Sequence, residues 1–360
     1  MSETKPEPES RSQPAATRRA FAPDTRAYAA RAAAKAIWWG AAGVAARALA
    51  RPTDAKPIEF EATAEAPPAG FVRRAWLQAF EKDAADVAAG LYPAMDDRPA
   101  DPVAAIRRTA DFITDAMAVE ARRRRGDRAE VRAEAPSTYP AYYRQNFHFQ
   151  TGGWFTAESA GRYETQVEAL FAGTAGAMRR RALSLLARAW KTRDHRGRAA
   201  LDLACGAGGF LHDLSSAFPR ARLIGLDLSP AYLAEARAIA PRTAFVQGKA
   251  EQLPFAGASL DALTCVYLFH ELPPKVRPVV AAEIARVLKP GGHFALADSI
   301  QPVDEPRLGR LLEAFPAYFH EPYYAGYAQT DLTELFGAAG LRLVDQDAAF
   351  LTKAMLFVKA

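Results

Sequence analysis

Apolar residues recur at helical spacing through the first half of the chain and gather into short unbroken runs in the second. Thr25 is placed to cap a helix reaching about Ala50. Phe71, Trp76, Leu77, Phe80, Val87 and Leu91 mark a second helix, and Ile106, Phe112, Ile113 and Met117 a third that opens after Pro102. Ser159 precedes a fourth through Gln166, Val167, Leu170 and Phe171, and Thr174 a fifth with Met178, Leu183, Leu186 and Trp190. From residue 200 the pattern changes. Runs such as Ala200–Leu203, Leu223–Leu226 and Leu260–Val266 end in Gly, Asp or Pro, as strands buried on both faces do. A fifth strand follows at Phe294–Asp298, a helix opens at Thr330–Phe336 and stops at Gly340, and closing strands occupy 341–349 and 351–359. Strands alternating with helices predict an α/β fold: a doubly wound, Rossmann-like sheet with an N-terminal helical extension and a ligand over the carboxyl ends of its strands.

The punctuation divides the chain. Residues 1–24, rich in Pro, Ser, Glu and Arg, predict a disordered tail. Residues 25–135 form the helical extension, and Pro136–Pro140 opens the main domain of 136–360, whose core is 195–300. No signal peptide is visible in the acidic, proline-rich start. The apolar run Ala36–Ala46 is too short to span a bilayer, which takes about 20 residues. Flanked by Lys35 and Arg47 and carrying Trp38 and Trp39, residues 35–47 read either as a helix packed on its neighbours or as a peripheral membrane contact. Arg122–Arg125 read as a solvated helix end or as a contact for phosphate or a lipid headgroup.

Composition narrows the partners. The formal net charge of +5 on 360 residues, with both signs interleaved, is a poor footprint for nucleic acid. The two cysteines, Cys205 and Cys265, fall in the turn and strand pattern, which fits a reduced, cytoplasmic setting. No metal-ligand spacing stands out.

The chemistry concentrates at Ala200-Leu201-Asp202-Leu203-Ala204-Cys205-Gly206-Ala207-Gly208-Gly209-Phe210, a strand joined to a helix by a glycine turn. Small residues let a ligand approach the backbone, and the first amides of the helix offer donors and a positive dipole end. A dinucleotide fingerprint requires a third glycine where this chain has Leu211. About 20 residues on, Leu223–Leu226 ends in Asp227, whose carboxylate can accept two ribose hydroxyls. Phe245–Phe255, Ser259–Leu272 and Glu283–His293 follow in order. These blocks together resemble the class I S-adenosylmethionine (SAM)-dependent methyltransferases, methyltransferase type 11 group, which includes the C-methyltransferases of ubiquinone and menaquinone synthesis.

That resemblance implies SAM as cofactor, held around Asp202, Ala204, Gly206, Gly208, Asp227, Leu228, Lys249, Ala250, Cys265 and Tyr267. Two positions depart from the family pattern. Ala204 stands where glycine is usual, a mild change unless φ is positive. Lys249 stands where an acid usually accepts from the adenine amino group, and an ammonium is only a donor. The Ala250 amide remains free to read the adenine edge.

The methyl of SAM is already activated, so a base is needed only for a hydroxyl, phenol or carbon acid. His270, just past the fourth strand, is the first candidate, against a role in anchoring its loop; His148 and His320 come next, and His293 reads as structural. Tyr142–Phe155 mixes aromatics with His148, Gln145 and Arg144 before a Gly-Gly hinge, and reads as a lid over the acceptor or as a seal between the domains. Phe315, Tyr318, His320, Tyr323, Tyr324 and Tyr327 suggest a second acceptor-facing lid. No Asn-Pro-Pro-Tyr segment follows strand four, which disfavours the amino methyltransferases of DNA. The expected function is methyl transfer to a small, rather apolar acceptor: a quinone precursor, a phenolic metabolite or a lipid. The alternative is a SAM-binding or partner-binding module with a decayed catalytic site.

Overall fold

The structure is a computed structural model and describes residues 25–50, 60–95, 102–127, 130–131, 135–190 and 194–360. The expected tail at 1–24 lies outside them. Helices α1 (Thr25–Ala50), α2 (Ala69–Ala88) and α3 (Pro102–Arg125) come first, then α4 (Ala157–Leu170) and α5 (Ala175–Ala189). Next are β1 (Ala199–Leu203), α6 (Gly209–Ala217), β2 (Arg222–Asp227), α7 (Pro230–Ile239), β3 (Ala244–Gln247), β4 (Leu260–Val266), α8 (Arg277–Val287) and β5 (Leu288–Ser299). Helices α9 (Gly309–Tyr318), α10 (Tyr324–Ala328) and α11 (Leu332–Ala338) precede the closing β6 (Leu341–Ala349) and β7 (Thr352–Lys359).

One seven-stranded sheet runs β3-β2-β1-β4-β5-β7-β6, parallel except for β7. Strand order reverses between β1 and β4, which opens a crevice over their carboxyl ends. The two faces differ in size. Leu201, Leu203, Phe294 and Leu296 pack on one side with Ile284, Phe336 and Phe357, while Ala200, Ala262, Ala295 and Ala297 point the other way. That alanine face lets α5 press its Leu183, Leu185 and Leu186 close to the sheet.

Several local expectations change. Thr156, not Ser159, caps α4, accepting from the Ser159 amide; the Ser159 hydroxyl is buried against Gly153 O at 2.6 Å and the Tyr232 hydroxyl. Strand β5 starts earlier than predicted, at Leu288, with His293 paired to Ala262 and Val358. Helix α1 is neither buried nor wholly superficial. Ala42 and Ala46 are buried, while Ile37, Trp38, Val44 and Leu49 are exposed. A Cβ on Gly43 would lie 2.9 Å from Ala169 O, so α1 packs on α4 almost backbone to backbone. Lys35 does not flank a membrane face: it turns inward to Glu168 at 2.8 Å.

Charges fasten α2. Arg180 on α5 grips Asp83 with Nε at 2.8 Å and Nη2 at 2.7 Å, and Arg181 pairs with Asp86. Burial would raise the Asp83 carboxyl, but Arg180 and the hydroxyls of Tyr28 and Tyr92 override it and hold Asp83 below the usual carboxylate range.

Candidate active site

The crevice is lined at its base by Leu203, Ala204 and Gly206 after β1, by Leu226, Asp227 and Leu228 at β2, by Gly248, Lys249 and Ala250 after β3, and by Val266, Tyr267 and Leu268 after β4. Seven of the expected cofactor residues are therefore together. Three are not in the lining. Asp202 lies beneath it, accepting from Thr264 Oγ1 at 2.7 Å; Gly208 is the left-handed residue before α6, where a Cβ would collide with Ala236; Cys265 points into the opposite core. For Asp202 and Cys265 the strand pleat is the reason: neighbours of lining residues face the other way.

Ala204 has φ +56, the left-handed region where a Cβ is strained by about 1–2 kcal/mol, so its departure from glycine is not mild. Gly206, at φ +52, has nothing within 4 Å of where a Cβ would stand. Asp227 is clamped by the amides of Gly206 at 2.9 Å and Ser229 at 2.8 Å. Burial raises its carboxyl despite those bonds, and burial likewise lifts Asp202 to about 7, with the nearby Asp227 charge adding to it. Over the first turn of α6, whose amides offer donors and a positive dipole end, the chain supplies its own carboxylate. A Cβ on Gly209 would lie 2.5 Å from Glu164 Oε1, and Glu164 is itself held by Arg179.

The aromatic segment roofs this crevice. Tyr142, Tyr143, Phe147 and Trp154 line it, with Tyr163 and Tyr232. The roof is tied down by Ser229 Oγ donating to Trp154 O at 2.5 Å and Tyr142 OH donating to Glu251 Oε1 at 2.8 Å. It thus covers the cofactor crevice, whereas the sequence pointed to the acceptor or to a domain junction. Trp154 Nε1 is buried without a hydrogen-bond partner.

None of the three candidate bases lines the crevice. His270 Nδ1 lies 2.6 Å from Asp298 Oδ1. Burial opposes its charge, but Asp298 prevails and lifts the imidazole to about 9, which favours the charged form over a proton acceptor. It anchors its loop instead, beside the Phe269 amide that also bonds Asp298. His320 Nε2 contacts Gln145 Oε1 at 2.9 Å, holding the roof segment. His148 meets Glu321 at 2.5 Å. The acids next to the chosen histidines were passed over: Glu271 lines the crevice, and Glu321 is buried behind it. Burial and the facing Glu321 push the Glu271 carboxyl well up.

A second, apolar chamber adjoins the crevice, sharing Tyr163, Tyr267 and Glu271 with it. Val167, Leu170, Phe171, Leu311, Leu312, Phe315, Tyr324 and Leu351 form most of its walls, and His148, His270 and Ser299 complete them, so two of the three candidate bases face this chamber rather than the crevice. His148, Tyr163, Val167 and Leu170 also line a wider groove between α1, α3 and α4.

Residues 200–292 match the methyltransferase domain family. A methyltransferase of Synechocystis sp., described as uncharacterized, is 34% identical over 148 residues, 41% of this chain and 68% of that protein. The chain belongs to the class I SAM-dependent methyltransferases. Demethylmenaquinone methyltransferase of Lactococcus lactis is 38% identical over 132 residues, 35% of this chain and 50% of the relative. The phthiotriol/phenolphthiotriol dimycocerosates methyltransferase of Mycobacterium leprae is 41% identical over 104 residues, 28% of this chain and 38% of the relative. The match thus spans half or less of these two relatives. The crevice of this methyltransferase fits the SAM of its family: Asp227 keeps acceptor capacity for ribose hydroxyls, the open backbone at Gly206 admits a ligand, and the unpartnered Trp154 Nε1 offers a donor. Lys249 lies exposed in the crevice lining, and Ala250 beside it is buried.

Proposed function

We propose that this protein methylates a small, largely apolar acceptor held in the chamber beside the cofactor crevice. The observation that carries the reading is that the two cavities meet at Tyr163, Tyr267 and Glu271, while the remaining wall of the second is mostly aliphatic and aromatic, with His148, His270 and Ser299 as its polar groups. The quinone and lipid acceptors in the names of the Lactococcus and Mycobacterium relatives support it.

SAM, when bound, supplies a methyl group already activated for transfer. What the protein contributes is position and dryness. Asp227 and the Ala204–Gly206 turn orient the cofactor, the Tyr142–Trp154 roof excludes water, and the chamber walls aim the acceptor across the Tyr267 gap. Exposed Ile37, Trp38, Val44 and Leu49 on α1, with Val103 and Ile106 on α3, suit uptake of such an acceptor from a membrane surface, although no described helix is long and apolar enough to cross one. Ile37→Glu with Leu49→Glu should then abolish co-sedimentation with anionic vesicles, and unchanged sedimentation would remove the membrane role.

The test of the function fills the chamber. Leu312→Trp should lower kcat/KM for a naphthoquinol or a long-chain alcohol acceptor at least about tenfold while calorimetric SAM affinity stays within about twofold. Absence of SAM binding in the unaltered protein would favour the decayed-module reading, for which Lys249 in place of an acid is the motivating feature.

A further inference from the structure

We propose that His148, Glu271 and Glu321 form a binding site for one divalent transition-metal ion where the cofactor crevice meets the apolar chamber. Their ligand atoms, one from each residue, all lie within 4.8 Å of one another. His148 comes from the roof segment, Glu271 from the turn after β4, and Glu321 from the stretch between α9 and α10, so only the folded chain assembles them.

Glu321 supplies the independent sign of a missing ligand. Its side chain is fully buried, and neither carboxylate oxygen has a hydrogen-bond partner; Oε1 only touches His148 Nε2, at 2.5 Å. A second carboxylate, Glu271, faces it in the same cluster. The neighbouring acid does not share this deficit, because Asp298 is met by His270 Nδ1 and by the amides of Phe269 and Ser299. Two glutamates that give up their protons on binding would match the charge of a divalent cation. Imidazole plus carboxylates is a ligand set for Zn(II), Mn(II) or Fe(II), with bonds of about 2.0–2.2 Å.

The supporting geometry is consistent with a ligand. His148 and Phe149 both take left-handed backbone, φ +58 and +55, and the His148 amide donates to His320 O at 3.3 Å, which pins the histidine beside Glu321. Phe315, Phe319 and Trp154 surround the imidazole ring. Coordination positions not taken by protein would face the chamber past Glu271 and His148 and can hold an acceptor oxygen next to the methyl. That last role rests on the proposed acceptor reading; the ion site does not.

The test uses chelator-treated full-length protein, titrated with Zn(II) by calorimetry and with Mn(II) by electron paramagnetic resonance. One ion per chain is expected. His148→Ala and Glu321→Gln should each weaken binding at least about tenfold, whereas His293→Ala, remote from the cluster, should not. Glu321→Gln removes an unpartnered buried charge, so its metal-free melting temperature should equal or exceed that of the unaltered protein, while its shift on adding Zn(II) disappears. No binding at millimolar metal, or equal affinity in His148→Ala and Glu321→Gln, would overturn the site and leave a proton-sharing glutamate pair. Metal binding with these losses but no turnover of any acceptor would uphold the site and sink the acceptor reading alone.

Discussion

Around β1, β2 and β4 the chain is held by Leu201, Leu203, Leu226, Leu263 and their neighbours, whereas α2 is held to α5 by Asp83, Asp86, Arg180 and Arg181. The first region gains from removing apolar surface from water, a force with no directional demand, so many side chains share the task. The second depends on a few buried charges, each of which is costly the moment its partner is lost. The sheet should therefore tolerate conservative replacement, and the helical cover should fail at single positions.

Arg180→Ala is the sharpest way to break that contrast. It strands Asp83 and Asp213 in a dry site and should cost about 3–5 kcal/mol in urea denaturation, while the pair Asp83→Leu with Arg180→Met, which leaves only Asp213 without this partner, should cost less. A loss under about 1 kcal/mol for Arg180→Ala would show that the cover is held by its apolar contacts after all.

Within the sheet region the expected loss is functional. Asp227→Ala should weaken SAM binding by about 1–3 kcal/mol, since two ribose donors lose their acceptor, with little change in fold. Unaltered SAM affinity in calorimetry would remove Asp227 from the cofactor site.

A third effect is linked to pH and, over any one pH unit, is small. Asp202 is protonated in the folded state up to about 7 but ionises near 4 when unfolded, so its contribution to stability is fully present below pH 4 and is lost as pH rises toward 7, at no more than about 1.4 kcal/mol per pH unit. Asp227 and Arg179 act on it from opposite signs, and Thr264 donates to it. Asp202→Asn should flatten this slope in melting curves of the cofactor-free protein between pH 5 and 7; parallel curves would show that Asp202 does not titrate there.

The sheet, its switch point and most of the crevice floor were legible because a buried parallel strand announces itself as an apolar run ending in Gly or Asp. Residues 200 to 267 thus pointed to Ala204, Gly206, Asp227, Leu228, Lys249, Ala250 and Tyr267, all of which line the crevice. Asp202, Gly208 and Cys265, which the family resemblance also implied, lie outside that lining: Asp202 and Cys265 because strand neighbours point to opposite faces, Gly208 because its backbone packs on Ala236. The histidines failed for a related reason. His270 and His320 were chosen for their titration near neutrality, yet tertiary partners decide what an imidazole does: Asp298 favours the charged form of one, and Gln145 ties up the other.

Local pattern determined which segments became strands and helices, the order in which they cross, and the crevice that follows from that order. It could not show that Glu271 and Glu321, fifty positions apart, face one another with His148, or that Arg180 reaches Asp83. Burial of apolar surface is written in each segment's own period, but the state of a buried charge depends on which distant group packing brings within a few ångströms of it.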